Sequence, residues 1–159
     1  MPNLPSTHPL RVAFYTRSAH AADDVQQSAR QADLARALVD DNPDWPLTEI
    51  IIDTGSGLRL QPGLRRLLDH ARSHRFELLL VDRLSDLGRS PRLLATILAD
   101  LAGYKVRLRT LDGTLDTATA TGRLLAAMWR SPAEHAQGTA HQRVSQRRPP
   151  AGSVEEGRP

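Results

Sequence analysis

Glu77-Leu78-Leu79-Leu80-Val81-Asp82 decides the fold. Its uninterrupted apolar centre leaves no side chain for water, so a strand here is buried on both faces, as strands of parallel sheets are. The flanks are helical. Upstream, Leu64 to Ser73 sets Leu64, Leu67, Leu68 and Ala71 on one face. Downstream, Arg83 to Ser90 is a turn-rich loop, and Pro91 suits the first position of a helix. Leu93, Leu94, Ile97, Leu98 and Leu101 carry that helix to about Leu101, and Gly103 is expected to end it.

The same alternation continues outward. Val12-Ala13-Phe14-Tyr15-Thr16 and Glu49-Ile50-Ile51-Ile52-Asp53 read as strands. Between them, Asp23 to Asp41 places Val25, Ala29, Leu34, Leu38 and Val39 at near-helical spacing, with Asp23 as a cap. Asn42-Pro43-Asp44-Trp45-Pro46 stops this helix. Lys105-Val106-Arg107-Leu108-Arg109 alternates, as an edge strand does, and a last helix covers about Thr119 to Arg130 before Pro132. The fold class is α/β: a mostly parallel sheet of about four to five strands with helices on both faces. Residues 1–10, with Pro2, Pro5 and Pro9, read as a disordered lead-in, 11–131 as the domain, and 132–159 as a disordered basic tail rich in Pro, Gly and Gln.

Composition excludes several functions. The 159 residues contain no cysteine, which rules out a disulfide scaffold, a thiolate metal site and a thiol nucleophile. No apolar run approaches the roughly 18 residues of a membrane span. The polar, Pro-rich N-terminus does not resemble a secretory signal, so a cytoplasmic location is expected. Net charge is +3, and every basic residue except Lys105 is arginine. Guanidinium forks match phosphate geometry, but charge alone favours a solvated arginine surface.

Open parallel sheets bind ligands outside the carboxyl ends of their strands. Three such ends are polar here: Tyr15-Thr16-Arg17-Ser18, Asp53-Thr54-Gly55-Ser56-Gly57, and Asp82 through Ser90. They bring Arg17, Arg83 and Arg89 beside serine hydroxyls. That set suits phosphoryl transfer, because guanidiniums hold non-bridging oxygens as charge develops, although the residues alone favour a plain arginine-rich loop surface over the switch point. His70 and His74 share a helix face, but no third ligand accompanies them and arginines flank them, so no metal site is expected. Leu124, Leu125, Met128 and Trp129 form an apolar stripe on the last helix, suited to core or to a second copy.

These stretches together resemble the catalytic domain of the serine recombinases, the resolvase/invertase family. The resemblance rests on Tyr15-Thr16-Arg17, Gln31 in the first helix and Asp53-Thr54-Gly55-Ser56-Gly57 before Pro62-Gly63-Leu64. Leu84-Ser85-Asp86-Leu87-Gly88-Arg89-Ser90 and Thr121-Gly122-Arg123 complete it. It covers about Arg11 to Arg130, in order. It implies an enzyme whose serine attacks a DNA phosphodiester and forms a 5′-phosphoserine link, with arginines around the phosphate and no cofactor or metal. Arg17 and Arg89 are then the phosphate-site arginines, and Tyr15, Gln31, Arg83, Ser90 and Arg123 are candidates to contact DNA. The resemblance also implies DNA as partner and a homodimer through the last helix, about 119–131.

Three departures matter. The family's nucleophile falls on Ala19, with Ser18 as its neighbour and the only candidate substitute. Strand side chains alternate, so a one-residue offset turns Ser18 away from the side of Arg17. The family's Asp-Arg pair is Ser85-Asp86, which puts a negative charge where a guanidinium is expected, and the arginine before Pro-Gly-Leu is Gln61. One lost charge-stabilising donor typically costs about 10²–10³ in rate, and a lost nucleophile removes the covalent route. The expectation is a recombinase-family protein of DNA strand exchange with impaired catalysis. The alternative is a non-catalytic DNA-binding or dimerisation partner of an active recombinase, or a degenerate remnant.

Overall fold

A computed structural model of the chain describes residues 8–19 and 24–129. Strands β1 (Val12–Ser18), β2 (Leu47–Thr54), β3 (Leu78–Val81) and β4 (Arg107–Thr110) form one parallel sheet in the order β2-β1-β3-β4. Helices α1 (Asp24–Asp40), α2 (Pro62–Arg72) and α3 (Pro91–Gly103) connect them, and α4 (residues 120–129) follows β4. The expected cap Asp23 and tail 132–159 lie outside the described residues, as does most of the lead-in. Among the described residues, no helix is long and apolar enough to cross a membrane.

Side-chain alternation divides the core in two. Ala13 and Tyr15 of β1, Leu79 and Val81 of β3, and Leu108 of β4 pack with Leu64, Leu67, Leu94 and Leu98 from α2 and α3. Val12, Phe14, Leu78 and Leu80 point the other way, to Ala32, Ala35 and Val39 of α1. The central strands β1 and β3 are buried along their full length, as the unbroken apolar run requires. Small residues form much of the inner face of α1 and let it lie close to the sheet. Leu34, expected on that face, is exposed instead. Its neighbour Ala35 takes the inward position, and adjacent helical residues point about 100° apart.

Gly103 ends α3 as expected, as its last helical residue, and does not itself take the left-handed cap conformation. That conformation falls on Lys105 (φ 60), and on His74 (φ 52) after α2. Each sits in a turn whose next amide reaches back to the helix: Val106 N to Leu101 O at 2.9 Å, Arg75 N to His70 O at 3.0 Å. Beyond β4 the chain doubles back through Gly113 (φ 74). Thr110 N then donates to Leu115 O, and Thr117 N to Leu108 O, both at 2.9 Å. This antiparallel strip covers an edge that would otherwise expose unpaired backbone.

Candidate functional site

Sheet order reverses at β1, whose two neighbours are β2 and β3. A crevice outside the carboxyl ends of β1 and β3 follows from that reversal. It is a cleft of about 150 Å³, with room for several waters or one phosphoryl group. Arg17, Ser18 and Ala19 line it from β1, Gln27, Ser28 and Gln31 from α1, and Arg83, Ser85, Asp86 and Arg89 from the segment after β3. Arg17, Ser18, Gln31, Arg83 and Arg89 are therefore brought together. Tyr15, Ser90 and Arg123 are not among the lining residues.

Tyr15 lies one layer below, fully buried, and donates to Asp53 Oδ2 at 3.0 Å. Burial, then the Asp53 charge, holds its hydroxyl well above the ordinary phenol value. It has no surface to offer a phosphate. Asp53 accepts two more hydrogen bonds, from Gly63 N at 2.9 Å and Leu64 N at 2.8 Å. Gln61, the residue before α2, makes no side-chain cap. A carboxylate from β2 therefore caps α2 from outside the helix, where the macrodipole favours negative charge. A Cβ on Gly63 would come within 2.5 Å of Asp53 Oδ1, which explains the glycine after Pro62.

The cleft floor is a polar network. Thr16 Oγ1 donates to Gln31 Oε1 at 2.5 Å, and Gln31 Nε2 donates to Asp82 Oδ2 at 2.7 Å. Arg83 Nε approaches the same Asp82 oxygen at 3.3 Å. Thr16 and Asp82 stand in the polar strand ends, and what joins them is Gln31 of α1, a meeting that no local spacing encodes. Asp86 is 4% exposed. Burial raises its carboxyl to about 6 and nearby Asp82 adds to the rise, while Arg83, Arg17 and the Thr16 hydroxyl oppose it.

The three arginines differ. Arg17 is buried, and Nε donates to Asp86 O at 3.3 Å, Nη1 to Gly55 O at 2.7 Å and Nη2 to Ser85 O at 2.9 Å. Arg89 is exposed and, among the described residues, joins no ion pair. Arg83 is exposed, and its guanidinium pairs with Asp82 at 3.3 Å. Ser90 caps α3, accepting from Leu93 N at 3.4 Å. Arg123 Nη1 donates to Ala118 O at 2.8 Å, beside a separate groove between α3, β4 and α4. His70 pairs with Glu49 at 2.9 Å, and no cluster of three His, Cys, Asp or Glu occurs among the described residues.

The sequence matches the family model described as "Resolvase, N terminal domain" over residues 12–151. No curated protein matches it. Among solved structures, the N-terminal catalytic domain of TP901-1 integrase is similar, with 25% identity and a TM-score of 0.66 over 81% of this chain and 98% of that one. A resolvase family site-specific recombinase from Streptococcus pneumoniae has 20% identity and a TM-score of 0.64, over 86% and 94% of the two chains. The C-terminal catalytic domain of an IS607-like serine recombinase has 18% identity and a TM-score of 0.59, over 75% and 78%. The last two likenesses concern the fold alone.

Proposed function

Because the chain belongs to the resolvase family, we propose that it is a serine-recombinase domain that holds a DNA phosphate without cutting the strand. The observation that carries this is the make-up of the cleft. Two exposed guanidiniums, Arg83 and Arg89, line it, while the position of the family's nucleophile is Ala19. Asp86 adds a carboxylate where the family has a guanidinium. Phosphate contact needs only cations and donors. Cleavage needs an attacking hydroxyl as well. A cytoplasmic protein acting on DNA, alone or beside an active recombinase, fits this chemistry.

Affinity for a DNA duplex measured across salt concentrations tests the binding half. Each phosphate contact contributes about 0.9 to the slope of log K against log salt. Arg83→Gln and Arg89→Gln should each lower the slope by about that amount. Absence of binding, or slopes that neither substitution changes, refutes it.

One observation favours a second reading. Ser18 lines the same cleft as Arg89, so its hydroxyl is the candidate to replace the missing nucleophile. Detection of a covalent adduct separates the two readings.

The dimer belongs to the proposal too. Leu124 and Met128 are each 63% exposed, and Leu125 and Trp129 are partly open. The groove beside α4 is about 370 Å³ and lined by Leu98, Leu101, Val106, Leu108 and Ala126 among others. A helix stripe and an adjoining apolar groove suit a second copy of the same chain.

A further inference from the structure

We infer that Arg17 is the strut that holds the cleft wall and positions Arg89, rather than a ligand of the phosphate. This deepens the phosphate-holding reading and rests on it for the nature of the anion. A guanidinium carries five N–H donors in a rigid planar fork. Arg17 commits three of them to backbone carbonyls on two different loops. Gly55 belongs to the loop after β2, and Ser85 and Asp86 to the single 3-10 turn after β3. One buried side chain therefore ties the segment after β3 that lines the cleft to the loop after β2 behind it. Turning it toward a phosphate would strip all three carbonyls of this donor.

Gly57 connects the strut to Arg89. It lies against the guanidinium so closely that a Cβ would be 2.7 Å from Arg17 Cζ, and its φ is +76°. Space and backbone conformation both require glycine. The Gly57 carbonyl accepts the backbone N–H of Arg89 at 2.9 Å. Gly55 N donates to Ser18 O at 2.8 Å, which ties the same loop back to β1. The order of contact is guanidinium, Gly57, Arg89. Lysine has the charge but not the fork, and one ammonium cannot reproduce three divergent bonds in one plane.

Nuclear magnetic resonance of arginine Nε–H groups in the full chain tests this, first free and then with a short DNA duplex. Arg17 Nε–H should exchange slowly with water in the free protein and stay unshifted when duplex is added. Arg89 Nε–H should exchange fast and shift. An Arg17 signal that moves as far as that of Arg89 overturns the inference. Arg17→Lys provides a second reading. The Arg89 amide should lose protection by about tenfold while Leu79 and Leu80 amides keep theirs, and duplex binding should weaken by about tenfold at a temperature where the fold is intact. Gly57→Ala, which changes no charge, should reproduce that loss. Wild-type exchange at Arg89 in either variant contradicts the relay. If no duplex binds, the phosphate-holding reading fails, while the exchange measurements made without DNA still decide the strut.

Discussion

Asp86 lines the cleft, and its burial has a measurable consequence. Its carboxyl titrates near 6 in the folded chain and near 4 in an unfolded one. Between those values the folded state keeps a proton that the unfolded chain has released. Stability from this group is therefore greatest below about pH 4, falls as pH rises to about 6, and is level above. The full span corresponds to about 3 kcal/mol. Asp86→Asn keeps the size of the side chain and removes the titration. Urea melts should find it more stable than the wild type by about 1–3 kcal/mol at pH 7, with the difference vanishing toward pH 4. A difference independent of pH contradicts the assignment. The departure at Asp86 was legible in the sequence from its place between Leu84 and Gly88. Its burial was not, because that depends on how loops from two strands close over it.

At the scale of elements, the contact among Tyr15, Asp53, Gly63 and Leu64 fixes where α2 begins. Asp53→Ala removes the acceptor for two helix amides and a buried phenol. It should cost about 2–4 kcal/mol in a denaturant melt. A loss below about 0.5 kcal/mol would mean that water replaces the cap. The left-handed residues are strained in the opposite sense. His74→Gly should stabilise by about 0.5–1 kcal/mol, since its φ of 52° suits glycine. A destabilised His74→Gly would place structural weight on the side chain. All four strands and the connecting helices were readable from apolar runs and helical spacing. Gly103 ends its helix as glycine often does, while Tyr104 and Lys105 make the turn that follows. Leu34 misled because near-helical spacing identifies a stripe but not the residues at its centre. Asp53 could be singled out by resemblance, but its work as a cap could not, since its partners lie 38, 10 and 11 residues away.

For the whole molecule, the apolar residues of α4 predict self-association. Leu124→Glu combined with Met128→Glu should shift the chain from dimer to monomer in sedimentation, leaving the melt of the sheet domain within about 0.5 kcal/mol, as exposed substitutions do. A monomeric wild type contradicts the dimer. Trp129 lines a small hollow with Leu84, Gly88 and Arg89, so this residue of the proposed dimer helix lies beside the cleft. The most direct measurement concerns the bond that the cleft does or does not break. Full-length protein is incubated with supercoiled DNA, denatured and digested, and its peptides are searched by mass for a nucleotide joined to serine. The expected result is intact DNA and no such peptide. A nucleotide on the Ser18 peptide, lost in Ser18→Ala, would contradict it.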